Sequence, residues 1–256
     1  MKAWSYEARI ARAAELANIQ PAARELLNFY GELARLQQTV FDALQSSGCT
    51  DLDALLPHFP LLLQILRRSG TKLLADFGAE RLQSKDDLRQ LLIACWEGDA
   101  PGEPERFYAR VLLQPYAEHL ASRGQADWQS AAGLQPAPQS CPFCGKRPVA
   151  GVLRGEGEGA KRSLLCSFCS TEWPFRRVLC PNCGQEDKEL LPLYLSPEFQ
   201  HVRVEACDVC KTYIKSIDLT KDGHAVPVVD ELAAVALDLW AEEHGYVKME
   251  PNLLGL

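Results

Sequence analysis

The chain has 256 residues, a formal net charge of −7 and 47% hydrophobic residues. This composition supports a sizeable core in one or two domains and excludes wholesale disorder. A net negative surface repels phosphate backbones, which argues against nucleic acid as a partner. No apolar run approaches the roughly 20 residues of a membrane span, and the first residues lack an apolar signal segment. We therefore expect no membrane insertion and a cytoplasmic location.

The first half of the chain, residues 1–125, is predicted to form an α-helical domain. Residues 3–17 are rich in Ala, Glu and Arg, which favour helix. Pro21 and Gly48 are typical of the beginning and the end of a second helix. Ser84 resembles an N-cap before a later apolar face at helical spacing. No strand-like alternation interrupts this half.

Residues 126–140 have the composition of a linker, so we predict a domain boundary in this segment. The region beyond it divides into a first module at 141–179, a second at 180–219, and a closing helix with a tail at 220–256. We expect this helix to pack on the modules or on the helical domain. The predicted fold class is therefore α+β.

Eight of the ten cysteines form four Cys-x-x-Cys pairs between residues 141 and 210. In the cytoplasm, paired cysteines are more often metal ligands than disulfides. Because four thiolates make one tetrahedral site, eight predict two sites. Two pairs are followed by glycine, which allows a positive φ in the turn and amides directed at sulfur. The predicted ligands are Cys141, Cys144, Cys166, Cys169, Cys180, Cys183, Cys207 and Cys210.

An internal repeat indicates how the pairs combine. Cys141 and Cys180 are 39 residues apart, and Cys166 and Cys207 are 41 apart. Four pairs allow three arrangements, but the repeat favours the first two pairs together and the last two together. Each unit contains two strand-like segments, 148–153 with 162–166 and 190–195 with 201–205, as in a zinc-ribbon-like hairpin. Such small units depend on their metal for folding.

The cysteines leave the metal open, since four sulfurs suit Zn²⁺ and mononuclear iron alike. Protein sulfur fills every ligand position, so we expect no Lewis-acid catalysis, and we assign no catalytic residue. Cys95 lies on an apolar helix face and Cys49 has no x-x-Cys companion, so neither is assigned to a metal. A thioredoxin-type dithiol would need a βαβ pattern that is missing.

Basic residues cluster around the first module. They favour either of two interpretations: a docking patch for an acidic partner, or charges that offset the thiolates on a solvated face. Trp173 and Phe175 lie beside them and add an aromatic edge. The basic residues are Lys146, Arg147, Lys161, Arg162, Arg176 and Arg177.

The residues around the cysteines are specific enough to resemble one family, the formate dehydrogenase accessory proteins (FdhE). The similar stretches are Cys141-Pro-Phe-Cys-Gly-Lys-Arg-Pro-Val-Ala-Gly151, Leu165-Cys-Ser-Phe-Cys-Ser-Thr-Glu-Trp173, Arg177-Val-Leu-Cys-Pro-Asn-Cys-Gly184, Glu205-Ala-Cys-Asp-Val-Cys-Lys-Thr-Tyr-Ile-Lys215, Asp230-Glu-Leu-Ala-Ala-Val-Ala-Leu-Asp-Leu-Trp240 and Glu243-His-Gly-Tyr246. The resemblance covers residues 140–256.

This resemblance implies a cytoplasmic maturation factor rather than an enzyme. Members of the family are needed for active respiratory formate dehydrogenase and are thought to bind its catalytic subunit before export. Their rubredoxin-like centres are described as binding iron, so we expect two mononuclear iron ions, with zinc as the alternative. Two other functions stay open. The chain is then either a redox-active, rubredoxin-like electron-transfer partner, or a zinc-ribbon protein with a nucleic-acid-binding or regulatory role.

Overall fold

The computed structural model describes residues 5–99, 102–124, 138–157 and 159–256. Its first half is helical, as the sequence predicts. The helices are Tyr6–Ile19 (α1), Arg24–Ser47 (α2), Phe59–Ser69 (α3), Lys72–Arg81 (α4), Lys85–Glu97 (α5) and Glu103–Arg123 (α6), with 3-10 turns at Pro21–Ala23 and Leu52–His58. None of the helices in these ranges is long and apolar enough to cross a membrane.

Local signals set the helix ends. Gly48 ends α2 in the left-handed conformation, at φ 65°. Ser84 and Asp87 form a capping box at the beginning of α5. The sequence does not predict α4, because this helix buries only Gly78 and shows no apolar stripe. A Cβ at Gly78 would lie 2.0 Å from the hydroxyl of Tyr108, so α4 packs through a close backbone approach.

The second half contains one mixed sheet. Its strands are Pro148–Glu156 (β1), Gly159–Cys166 (β2), Glu172–Pro174 (β3), Leu193–Leu195 (β4), Val202–Ala206 (β5), Thr212–Asp218 (β6) and Val247–Lys248 (β7). The strand order is β3-β2-β1-β6-β5-β4, with β7 also paired to β6. Each module therefore contributes three antiparallel strands in chain order, and its third strand follows its second cysteine pair. The predicted hairpins are present, but the sequence does not predict β3 and β6.

Parallel pairing of β1 with β6 joins the two modules. Gly151 in β1 lies opposite Ser216 in β6. A Cβ on Gly151 would lie 2.0 Å from Ser216 Oγ, so this position has room only for glycine. The tandem modules thus share one continuous sheet.

Two helices close the chain where the sequence predicts one. They are Pro227–Ala233 (α7) and Val235–Glu243 (α8). Ala234, at φ −87° and ψ 38°, interrupts the helical geometry between them. Val229 of α7 belongs to the hydrophobic cluster of the helical half, and Leu237 of α8 belongs to the cluster on the sheet. The sequence allowed the closing segment to pack either on the modules or on the helical domain, and in the structure it packs on both.

The helical half and the first module share a hydrophobic cluster, which includes Leu27, Val111, Leu164 and Trp173. An ion pair also joins the helical half to the closing segment, because Arg12 of α1 contacts Asp230 of α7 at 2.6 Å. Most of the predicted linker at 126–140 lies outside the described residues; the carbonyl of Pro138 accepts a hydrogen bond from Trp173 Nε1 at 2.9 Å. The domain limits stay a prediction.

Candidate metal centres

The four Cys-x-x-Cys segments adopt the same turn. In each, the N–H of the first cysteine donates to the carbonyl five residues later: Cys141 to Lys146 (2.8 Å), Cys166 to Thr171 (2.9 Å), Cys180 to Gln185 (2.8 Å) and Cys207 to Thr212 (2.9 Å). The residue after the second cysteine has a positive φ in every turn: Gly145, Ser170, Gly184 and Lys211. The sequence indicates this geometry only at the two glycines. Ser170 and Lys211 adopt it against their ordinary preference, which shows how strongly the turn is imposed.

The first group of cysteines combines the first two pairs. The Sγ atoms of Cys141 and Cys169 are 3.5 Å apart, and those of Cys144 and Cys166 are 3.4 Å apart. All four Sγ atoms lie within 4.8 Å of one another. Three of the four residues are buried and Cys144 is half-buried.

The second group combines the last two pairs. The Sγ atoms of Cys180 and Cys210 are 3.7 Å apart, and those of Cys183 and Cys207 are 3.6 Å apart. This group is also contained within 4.8 Å. Its Cys183 is exposed to solvent, unlike any cysteine of the first group. The two groups are those that the internal repeat predicts.

The sulfur distances fit a tetrahedral ion. With metal–sulfur bonds of about 2.3 Å, ligand sulfurs at tetrahedral angles are about 3.8 Å apart. The four Sγ–Sγ distances, 3.4–3.7 Å, are close to this value. They are far longer than the roughly 2.05 Å of a disulfide. Each group can therefore hold one metal ion through four thiolates.

Hydrogen bonds shift the thiol pKa values unevenly within each group. In the first group, contacts among the thiols lower the pKa of Cys141 and raise that of Cys169. Burial raises the pKa of Cys210, but hydrogen bonds from Thr212 and Asn182 outweigh it and lower that pKa to about 6. The Thr212 Oγ1 atom lies 3.0 Å from Cys210 Sγ. A lowered thiol pKa aids metal binding, because the thiolate is the ligand.

Hydrogen bonds from the helical half fix the turn that contains Cys166 and Cys169. Gln114 Nε2 of α6 donates to the carbonyl of Ser167 at 2.8 Å, inside the second turn of the group. Ser170 Oγ, in the same turn, donates to Glu118 of α6 at 2.6 Å and accepts from Arg9 of α1 at 3.2 Å. The first group is thus part of the interface between the helices and the sheet.

Behind the second module lies a buried network of two lysines and two carboxylates. Lys215 Nζ contacts Glu231 at 3.0 Å and Asp238 at 2.6 Å. Lys248 Nζ contacts the same two carboxylates at 2.5 Å and 3.2 Å. Tyr213 donates to Asp238 at 2.8 Å. The network joins β6 and β7 to α7 and α8, and its charges balance.

Burial and the ion pairs of this network shift the pKa values of its residues. Burial lowers the pKa of Lys215. Burial raises the pKa of Glu231, but Lys215 and Lys248 outweigh it and lower that pKa to about 2. The sequence indicates Glu231 only as an acidic residue at the beginning of the final helix, and it does not indicate an ion-pair network. Glu231 and Asp238 lie on two helices that Ala234 separates, so helical spacing in the sequence does not indicate that they meet.

A third group, His201, Asp222 and Asp230, also has metal-ligand spacing within 4.8 Å. Arg12 of α1 already contacts both carboxylates, at 2.6 Å each. His201 Nε2 lies 2.8 Å from Asp230. The guanidinium satisfies the charge that a cation would need, so we assign this group a structural role.

The basic residues around the first module differ in exposure and in their partners. Arg162 is 2% exposed and contacts Glu205 at 2.5 Å. Arg176 pairs with Glu186 at 2.7 Å, and Lys161 with Glu156 at 3.5 Å. Burial therefore removes Arg162 from the docking patch, whereas Arg176 and Lys161 are exposed and pair with exposed carboxylates. The other basic residues of the patch are Lys146, Arg147 and Arg177.

Comparison with known proteins follows the same division of the chain. Residues 140–177 match the family described as "FdhE, central domain", and residues 178–254 match "FdhE, C-terminal domain". A "Protein FdhE homolog" from Aquifex aeolicus is 34% identical over 208 residues, which cover 80% of this chain and 71% of that protein. A homolog from Pseudomonas aeruginosa is 41% identical over 120 residues, which cover 44% of this chain and 38% of that protein.

A solved structure resembles the whole chain. The crystal structure of the FdhE protein from Pseudomonas aeruginosa superposes with a TM-score of 0.75 at 25% identity. The match covers 99% of this chain and 96% of the other. The match spans the helical half as well as the two modules, so the helical half also shares the fold of that protein.

Proposed function

The chain belongs to the FdhE family, and from this membership we propose that it is a cytoplasmic accessory factor for the maturation of formate dehydrogenase. In this role it binds the catalytic subunit of that enzyme and carries no catalytic site of its own. The observation that carries the proposal is the match to the Aquifex aeolicus homolog across 80% of the chain, together with two complete four-cysteine groups.

The eight clustered cysteines are the proposed metal ligands, four for each ion. We propose iron as the metal and zinc as the alternative, since four thiolates suit both. A bound ion supplies a cross-link between the two turns of its module. The chain itself supplies the preformed turns, the hydrogen bonds to sulfur and the buried setting of the first group. Metal analysis after gentle anaerobic purification distinguishes the two metals.

A redox role is the second candidate function, and the exposure of Cys183 favours it. An exposed ligand places the second centre near any docked partner, whereas the first centre is shielded. This role requires iron that cycles between two states. A reversible Fe³⁺–thiolate absorption in the purified protein would support it, and stoichiometric zinc in protein from the native host would exclude it.

Gene deletion with complementation tests the proposed function. A strain that lacks the gene should lose formate oxidation, and the wild-type gene should restore it. Cys183→Ser/Cys210→Ser, which removes half of the second centre, should restore less. Cys49→Ser is the matched control, because Cys49 lies outside both groups. Full formate dehydrogenase activity in the deletion strain would refute the proposal.

A further inference from the structure

A cavity of about 160 Å³ opens on the sheet beside the second cysteine group. Cys180 and Cys207 form part of its wall. One side comes from the segment that connects the modules, and the other comes from β4 and the residues before it. Six of the sixteen lining residues have large apolar side chains: Val178, Leu179, Leu191, Leu193, Ile214 and Met249.

The strand at the mouth of this cavity is an unprotected sheet edge. β4 pairs only with β5 in the described sheet. Leu193 is 56% and Leu195 is 68% exposed. Two residues apart on a strand, they share one face. Exposed edge strands with aliphatic side chains are templates for pairing with another chain.

The backbone of β4 is oriented for such pairing. The N–H of Ala206 donates to the carbonyl of Pro192 at 3.0 Å, which makes these two residues a hydrogen-bonded pair. Hydrogen-bonded and non-bonded pairs alternate in antiparallel strands. Leu193 and Leu195, opposite Glu205 and Arg203, are therefore non-bonded pairs. Their N–H and C=O groups point away from β5, toward the open edge.

Charged side chains also line the cavity: Arg162, Arg177, Lys188 and Glu205. Arg162 and Arg203 share one carboxylate, Glu205, at 2.5 Å and 2.7 Å. Arg162 Nε is buried and has no acceptor in the described part of the chain. Arg177 also lines the cavity and donates to the carbonyl of Ala160 at 3.5 Å, a contact that leaves its charge uncompensated.

We infer that this groove binds an extended segment of a partner polypeptide, which adds a strand to β4. The segment places an aliphatic side chain in the cavity and a carboxylate within reach of Arg177. The inference rests on the proposed function, in which the partner is the catalytic subunit of formate dehydrogenase. Strand addition uses backbone hydrogen bonds for affinity and side-chain pockets for specificity. The thiolate group nearby is negative with a divalent ion, so an acidic segment is favoured only where Arg177 reaches it.

The test compares binding of metal-loaded, full-length variants to the purified catalytic subunit. Leu195→Asp should weaken binding at least about tenfold, as loss of a buried interface anchor does. Leu195→Pro should weaken it similarly, because it removes an outward N–H without breaking a bond to β5. Arg177→Glu should weaken binding more at low salt than at high salt. Leu73→Asp is the matched control, since Leu73 on α4 is also 68% exposed.

Metal content and circular dichroism of each variant should equal those of the wild type. If wild-type protein does not bind the catalytic subunit, the proposed function fails. If wild-type protein binds and the groove variants bind equally well, the inference fails and the proposed function stands. Normal binding by Leu195→Pro but not Leu195→Asp would refute strand addition. A wild-type dimer that Leu195→Asp dissociates would assign the edge to a second copy and also overturn the inference.

Discussion

Replacing Lys215 by methionine tests whether the buried charge network holds the closing helices on the sheet. Lys215 is fully buried, donates to the carboxylate of Asp238 and to the carbonyls of Glu231 and Ala234, and forms an ion pair with the carboxylate of Glu231. Without it, two buried carboxylates share Lys248 alone, and one negative charge is uncompensated. Breaking a buried ion pair from one side costs about 3–5 kcal/mol.

Urea unfolding of the metal-loaded protein measures this cost. With a slope of about 3 kcal/mol per M, Lys215→Met should lower the midpoint by about 1–1.7 M. Lys161→Met is the matched control on the same sheet; its side chain is 56% exposed and pairs with an exposed Glu156. That substitution should change the stability by at most about 0.5 kcal/mol.

A second variant separates charge from packing. Lys215→Met/Asp238→Asn restores charge balance, since Glu231 then pairs with Lys248 alone and the introduced amide oxygen can still accept from Tyr213. The double variant should therefore be more stable than Lys215→Met. Equal stability of the two variants, or an unchanged midpoint for Lys215→Met, would refute the assigned role of the network.

The two centres, the sheet and the buried carboxylate supply three more tests. Cys183→Ser should lower the metal content from two ions per chain to one, while circular dichroism keeps the helical signal. Cys166→Ser, within the shared core, should also lower the melting temperature sharply. Equal melting temperatures of the two variants would contradict the assigned difference between the two cysteine groups. Gly151→Ala should destabilise the protein by about 1–3 kcal/mol through overpacking against Ser216, with Ser216→Gly restoring part of the loss in the double variant; thermal melting would show no such rescue if the approach were loose. Because the pKa of Glu231 is lowered from 4.5 to about 2, its ionised form stabilises the fold above pH 4.5, and this contribution should fall by about 3 kcal/mol as the pH drops toward 2. Unfolding curves of wild type and Glu231→Gln should accordingly converge in acid, and a constant difference would exclude this linkage.

The sequence predicted most helices and the two hairpins β1–β2 and β4–β5, because apolar spacing and caps are local signals. Gly48 and Ser84 ended and began helices where expected. It also predicted how the cysteines combine, since the repeat carried that information. α4 and β3 could not be predicted because α4 buries only one glycine and β3 has three residues.

Long-range features were beyond the sequence for a different reason. The pairing of β1 with β6 depends on a close approach at Gly151, which has no local signature. The burial of Arg162 in an ion pair with Glu205, which are 43 positions apart in the chain, removed it from the predicted basic patch. The difference in exposure between the two cysteine groups arises from the packing of α1 and α6 on the first module alone.

Co-purification from the native host tests the central claim most directly. The tagged full-length protein is isolated anaerobically, and the catalytic subunit of formate dehydrogenase and the bound metal are quantified in the same sample. The account predicts that the catalytic subunit is present together with two metal ions per chain, held by eight cysteines. A preparation that carries both metal ions and reproducibly lacks the catalytic subunit would contradict it.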